Sequence, residues 1–206
     1  MGGKLRSALL VFFIFPMVVG CVTTPPAQPE NICSIFKEKR RWHDTAVRAE
    51  KKWGTSMHTV MAIMYQESAF IDDIRPPRRK LLGFIPWKRP SSAYGYSQAL
   101  VGTWRNYRDD TGERWRQRDD FSDATDFIHW YLNQSQKRNG LSKDDVYSLY
   151  LTYHEGWGGF AKKTYQSKAW LKRAAQNVAH RSKQYTIQYG GCRESLNRQR
   201  WWQRLF

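Results

Sequence analysis

Apolar residues recur at three- and four-residue intervals through most of this chain, and no run alternates strictly between apolar and polar positions. That spacing places side chains on one face of a helix, whereas a half-buried strand needs a period of two. Ser34 to Trp53 reads as one helix, with Phe36, Trp42, Ala46, Ala49 and Trp53 as its contacts and Gly54 as its stop. Thr55 or Ser56 caps the next, whose stripe is Met57, Val60, Met61 and Met64. Further helices are expected from about Thr103 to Asp110 and from Ser122 to Arg138, with Gly140 beyond the second. Ser142-Lys143-Asp144-Asp145 has the form of a capping box opening a helix to about His154, striped by Val146, Leu149, Tyr150 and Tyr153. A long basic helix from Ser167 to Tyr189 is expected to stop at Gly190-Gly191. The fold class is mostly α and compact.

One segment breaks the pattern. Arg75 to Pro90 holds four of the eight prolines (Pro76, Pro77, Pro86, Pro90), six basic residues and no acid. Proline at that density excludes a regular helix, so an irregular basic loop is expected there, with a short β-hairpin around Gly83. It either grips stem peptides or lipid headgroups, or is a solvated insertion.

The N-terminus sets the compartment. Lys4 and Arg6 precede an apolar run from Ala8 to Val19 that is too short to span a bilayer, which takes about 20 residues. A basic start and a short apolar stretch read as a secretory signal. The run ends in Val18-Val19-Gly20-Cys21, which resembles the lipobox of bacterial lipoproteins. That resemblance implies a signal peptide over 1–20, lipid on the Cys21 thiol and, because Val22 rather than Asp follows, delivery to the outer membrane. The alternative is an ordinary signal ending near a cysteine. Residues 21–31, with Pro25, Pro26 and Pro29, read as a tether, and 32–192 as a single domain.

The chain carries +16, or +14 without Lys4 and Arg6. An exported chain meets anionic wall peptides and lipid headgroups rather than nucleic acid, so this charge points to an acidic matrix. Of the three cysteines, Cys33 and Cys192 remain once Cys21 is lipidated, and an oxidising compartment favours their pairing over two free thiols. No Cys/His cluster has metal-ligand spacing, so neither metal nor cofactor is expected. The tail 193–206, with Trp201-Trp202, Leu205-Phe206 and four arginines, is either an interfacial membrane contact or part of the core.

Glu67 is the candidate catalytic residue. It lies three residues after Met64 and seven after Val60, so a carboxyl continues an apolar stripe. A carboxyl withdrawn from water without a partner keeps its proton to higher pH, which is what a general acid for glycosidic cleavage needs. A glutamate at a helix end, turned to solvent or paired with an arginine, is the competing reading.

Three segments together are more specific. Met61-Ala62-Ile63-Met64-Tyr65-Gln66-Glu67-Ser68-Ala69-Phe70 resembles the catalytic segment of SLT-type lytic transglycosylases. Ala93-Tyr94-Gly95-Tyr96-Ser97-Gln98 resembles the family's Gly-Leu-Met-Gln element, and Tyr153-His154-Glu155-Gly156 its Tyr-Asn-Ala-Gly segment. The resemblance implies a goose-lysozyme-like fold and cleavage of the MurNAc–GlcNAc bond of peptidoglycan to 1,6-anhydro ends. Glu67 would be acid and then base, Ser68 would orient the site, and Gln98, Tyr153, Tyr96 and Gly95 would border substrate. Tyr96-Ser97 and His154-Glu155 depart from the family pattern.

Glu155, Asp72 and Asp73 are candidates for the second carboxylate of a hydrolysing muramidase, the runner-up activity. A catalytically silent, wall-binding lipoprotein is the alternative from another class. Trp157-Gly158-Gly159-Phe160 reads equally as a sugar-stacking turn or as two core aromatics.

Overall fold

Helix α3 (Met57–Ser68) is buried on every side from Met57 to Met64, and the rest of the fold is arranged around it. Met57, Val60, Met61, Ala62, Ile63 and Met64 are all buried, as are Thr59 and His58. The sequence pattern showed a single stripe; the complete burial of Ala62 and Ile63 makes this a central helix instead. Ser56 caps it by accepting the His58 N–H, while Thr55 accepts a bond from Gln136. The computed structural model describes residues 23–202, and side chains for 23–198. Residues 1–20, read above as a signal peptide, Cys21, Leu205, Phe206 and the side chains of Trp201 and Trp202 lie outside the described residues.

The expected helix over 34–53 is two helices, α1 (Ile32–Glu38) and α2 (Arg40–Trp53), broken where Lys39 takes φ −107° and ψ 68°. The break lets the two pieces face different partners: α1 packs on the long last helix and α2 on α5. A straight rod could not present one apolar stripe to both. The Arg75–Pro90 segment forms the expected hairpin, β1 (Lys80–Leu81) antiparallel to β2 (Ile85–Pro86).

Helix α4 (Val101–Thr111) is followed by α5 (Phe121–Asn139), which Asp120 caps by accepting the Asp123 N–H. Asp126 on α5 accepts bonds from Lys52 and Trp53 of α2 and from Tyr107 of α4, joining three helices through one side chain. Burial pushes its pKa up, but those three hydrogen bonds outweigh it and leave the carboxyl below its usual range.

Helix α6 (Val146–Ala161) begins at Asp145, which accepts the Ser148 N–H; Ser142 bonds only the Asp144 N–H, so the expected capping box does not form. The helix also runs past His154, through a kink where Gly156 takes φ 78° and ψ 161°. After a 3-10 turn at Thr164–Ser167, helix α7 (Ala169–Trp202) continues straight through Gly190-Gly191. Each helical glycine costs about 1 kcal/mol relative to alanine. Burial of Tyr189, Cys192 and Leu196 on either side of the pair overrides that local preference. Residues 193–202 therefore extend α7.

The fold is mostly α, with seven α-helices among the described residues. Packing of α7 along α3 and α6, and of α5 along α2 and α6, leaves the C-terminal end of α3 facing a cleft. None of the described helices is long and apolar enough to cross a membrane, and no group among the described residues could hold a metal ion.

Candidate active site

Glu67 occupies the last turn of α3, where the chain must leave the core abruptly. Ala69 (φ 49°) and Phe70 (φ 62°) both take left-handed backbone conformations, each at a cost of roughly 1–2 kcal/mol. Phe70 is fully buried against Trp42 and Tyr65, and that burial offsets the cost. The exit is thus fixed, and with it the direction of the Glu67 side chain.

Opposite lies the turn 94–99, closed by a bridge between Tyr94 and Ala99. The Gly95 N–H donates to the Ile74 carbonyl at 3.1 Å, and Gln98 donates through Nε2 to Ile74 and Gly95 carbonyls at 3.0 and 2.9 Å. Helix α6 completes the arrangement, where Tyr153 donates to the Ser97 carbonyl at 2.6 Å and so ties α6 to the turn. The resulting cavity is about 330 Å³ and is bordered by Glu67, Gln98, Thr103, Tyr131, Tyr153 and Glu155, among others.

Three expected site residues therefore meet: Glu67, Gln98 and Tyr153. The other expected substrate-binding residues, Ser68, Tyr96 and Gly95, do not border the cavity. Ser68 is buried and donates back to the Met64 carbonyl of its own helix. Tyr96 sits in the core, edge-on to Trp42 and Phe121, which stack on each other at 3.9 Å. Gly95 serves the backbone: it takes φ 76°, and a Cβ there would lie 2.1 Å from the Arg118 carbonyl oxygen. Gly95→Ala is expected to destabilise the fold by about 3 kcal/mol, from the clash and the left-handed backbone together. Urea unfolding measures this; an unchanged midpoint refutes it.

The electrostatics single out Glu67. The residue as a whole keeps some exposure through the cavity, yet its carboxyl is enclosed, and Oε1 is buried without a hydrogen-bond partner among the described residues. Burial pushes its pKa up to about 7, against a hydrogen bond from Tyr150 that favours the charged form. Such a group is half protonated near neutral pH and can both give and take a proton. The effect is reciprocal: burial and the neighbouring Glu67 raise the Tyr150 and Tyr153 phenols well above their usual range.

Glu155 borders the same cavity in the opposite state. Burial raises its pKa, but bonds from Lys168, Thr164 and His154 prevail and hold it below the usual range. Lys168 Nζ lies 2.8 and 2.9 Å from its two oxygens. Those partners occupy the lone pairs that a base would need to activate water. Asp72 accepts a bond from Thr23 and does not border the cavity. The structure also places Trp157 and Phe160 within α6, stacked on Tyr131 and Tyr165, as core-side aromatics.

Tyr150 is a site residue that sequence reasoning assigned only to the core stripe. Its i, i+3 relation to Tyr153 puts both phenols on one face of α6, but only the fold, in which α3 and α6 both pack on α5 and α7, brings that face beside the acid. The family model for the transglycosylase SLT domain matches residues 9–192, a span that includes Glu67, Gln98 and Tyr153. No curated protein matches the chain significantly.

Proposed function

The chain belongs to the transglycosylase SLT domain family, whose function is peptidoglycan-acting and of the lytic transglycosylase type, and on that premise we propose that Glu67 cuts the MurNAc–GlcNAc bond. The observation that carries the reading is the enclosed Glu67 carboxyl, holding its proton to about pH 7 at the wall of a cavity. Its proton goes to the glycosidic oxygen as the bond from C1 breaks. The Glu67 carboxylate, steadied by Tyr150, then takes the proton of the MurNAc C6 hydroxyl. That oxygen attacks C1 and closes a 1,6-anhydro ring. Glu67 ends protonated, as it began, and no water is consumed. Tyr153 holds the turn 94–99 against α6 and Gln98 ties it to the Ile74 carbonyl, which keeps the cavity open beside the acid.

Mass spectrometry of purified sacculi digested by the protein tests this reading. Muropeptides with anhydro ends are expected; reducing ends would assign the activity to a muramidase instead. Binding to sacculi without release of any muropeptide would leave only a scaffold. Because the first step needs the protonated acid, kcat/KM is also expected to fall as pH rises through about 7, in line with the raised pKa. A profile flat to pH 9 would contradict this.

We also propose that residues 1–20 are removed and that Cys21 carries the lipid, placing the enzyme on the outer membrane facing the periplasm. Lys4, Arg6, the apolar run and the Val18-Val19-Gly20-Cys21 terminus support this reading, and a Cys33–Cys192 disulfide suits an oxidising compartment. Metabolic labelling with a fatty-acid analogue should mark the protein, and Cys21→Ala should abolish the label.

A further inference from the structure

The hairpin of Arg75 to Pro90 gathers five of the ten exposed large apolar side chains of the described residues, although Trp115 alone is more exposed than any of them. Leu82 and Phe84 are 76 % and 73 % exposed, and Leu81, Ile85 and Trp87 are exposed beside them. Backbone bonds close the hairpin: the Arg79 carbonyl accepts the Trp87 N–H at 2.6 Å, and the Lys88 carbonyl the Arg79 N–H at 3.2 Å. Leu82 (φ 52°) and Gly83 (φ 81°) form the turn. Glycine or asparagine takes such a position at little cost, whereas leucine pays for a left-handed backbone. A strained leucine with most of its surface in water gains nothing inside this fold.

We propose that this hairpin docks on a membrane surface rich in anionic lipid, with Leu82 and Phe84 at the tip entering the acyl boundary. Six cations flank the tip: Arg75, Arg78, Arg79, Lys80, Lys88 and Arg89. Between Ile74 and Ser91 there is no acid and no Ser, Thr, Asn or Gln. A sugar-binding surface needs side-chain acceptors for hydroxyl groups, and this segment supplies none. Cations around an apolar tip complement acidic headgroups over acyl chains.

A second observation fixes the side of the molecule. Thr23 donates to the Asp72 carboxylate, three residues before Arg75. The chain that follows the apolar N-terminal run therefore enters the structure at the base of the hairpin. Ser91 and Ala93, just after the hairpin, border the catalytic cavity. Docking would present that cavity to glycan strands close to the membrane.

The test uses the full chain with Cys21→Ala and Leu82→Cys, which leaves one thiol outside the Cys33–Cys192 bridge for a fluorophore. A second protein carries Lys143→Cys in place of Leu82→Cys. Lys143 lies beside Ser56, at the far end of α3 from Glu67. In vesicles of phosphatidylethanolamine and phosphatidylglycerol with brominated acyl chains, the label at 82 is expected to be quenched and the label at 143 not. Phosphatidylcholine vesicles should quench the label at 82 less. Adding Arg78→Gln, Arg79→Gln and Lys80→Gln should weaken the quenching equilibrium on the order of 100-fold, since each cation near an anionic surface contributes about fivefold.

No quenching at 82, or equal quenching at 82 and 143, overturns the proposal. So does full quenching in the triple variant. A label at 82 that responds to purified sacculi but not to vesicles gives the hairpin to the wall and overturns it as well.

Discussion

Glu67→Gln is expected to abolish lytic activity, by at least about 10³-fold in kcat/KM, because the amide can neither donate the acid's proton nor accept one from the C6 hydroxyl. The same variant is expected to be more stable than the wild type above neutral pH. In the unfolded chain a glutamate titrates near its ordinary value of 4.5, while burial in the folded protein raises Glu67 to about 7. Between these values the folded state holds more protons than the unfolded state. Stability attributable to this group is therefore full below about pH 4.5 and is lost as pH rises through 7.

At pH 8 the protein carries the whole cost of an ionised, enclosed carboxylate. From the pKa difference that cost is roughly 3 kcal/mol at most, less because the cavity admits water to part of the residue. Glutamine removes the charge at the same size. Thermal melts at pH 8 should show the variant above wild type, with the gap closing toward pH 4.5. A variant that is inactive but never more stable would mean that Glu67 is solvated, and the proposed acid chemistry would lose its basis.

Much of this site was legible because one residue violated a pattern. A carboxyl on the apolar stripe of 57–64 marked Glu67, and the packing of α3 at the centre of the fold explains why the violation is costly enough to hold a proton. Helix identity was legible for the same reason, since periodicity survives in a single sequence. Boundaries were not. Lys39 breaks a continuous stripe because α1 and α2 face different neighbours, and Gly190-Gly191 fails to end α7 because Tyr189, Cys192 and Leu196 are buried around it. Both outcomes depend on contacts across the chain.

The roles of neighbours were legible only as positions. Ser68 and Tyr96 stand next to catalytic motifs in sequence, yet one turns back onto its helix and the other faces Trp42 and Phe121. Tyr150, assigned only to the core stripe of its helix, bonds the acid. Whether Glu155 is a spare base or a fixed anion turned on Lys168, thirteen residues away, which no local motif identifies.

Replacing both cysteines, Cys33→Ala with Cys192→Ala, is expected to produce the largest loss of stability of any change outside the active site. The bridge joins residues 159 apart, closing nearly the whole described domain into one loop. In the chain-entropy model a loop of that length contributes about 5 kcal/mol, by limiting the unfolded chain. For a domain of this size that corresponds to a melting point lower by roughly 10–15 °C.

The bridge also has a local function. It pins α1 to the last third of α7, just beyond Gly190-Gly191, where helix propensity is poorest. Without it, α1 is held to α7 by Gln188, which accepts the Ile32 N–H and donates to the Glu30 carbonyl, and by the burial of Ile32, Ile35 and Phe36. Hydrogen exchange should therefore accelerate first in α1 and in α7 past residue 189. Exchange in α3 up to Met64 should change only through global unfolding, because that part of the helix is enclosed on all sides. The catalytic cavity lies at the C-terminal end of α3 and against α6, so kcat/KM at 25 °C should stay near the wild-type value while the melting point falls. Equal denaturant midpoints for the oxidised and cysteine-free proteins would show that the bridge adds nothing to stability, and loss of activity at full folding would place it in the catalytic site.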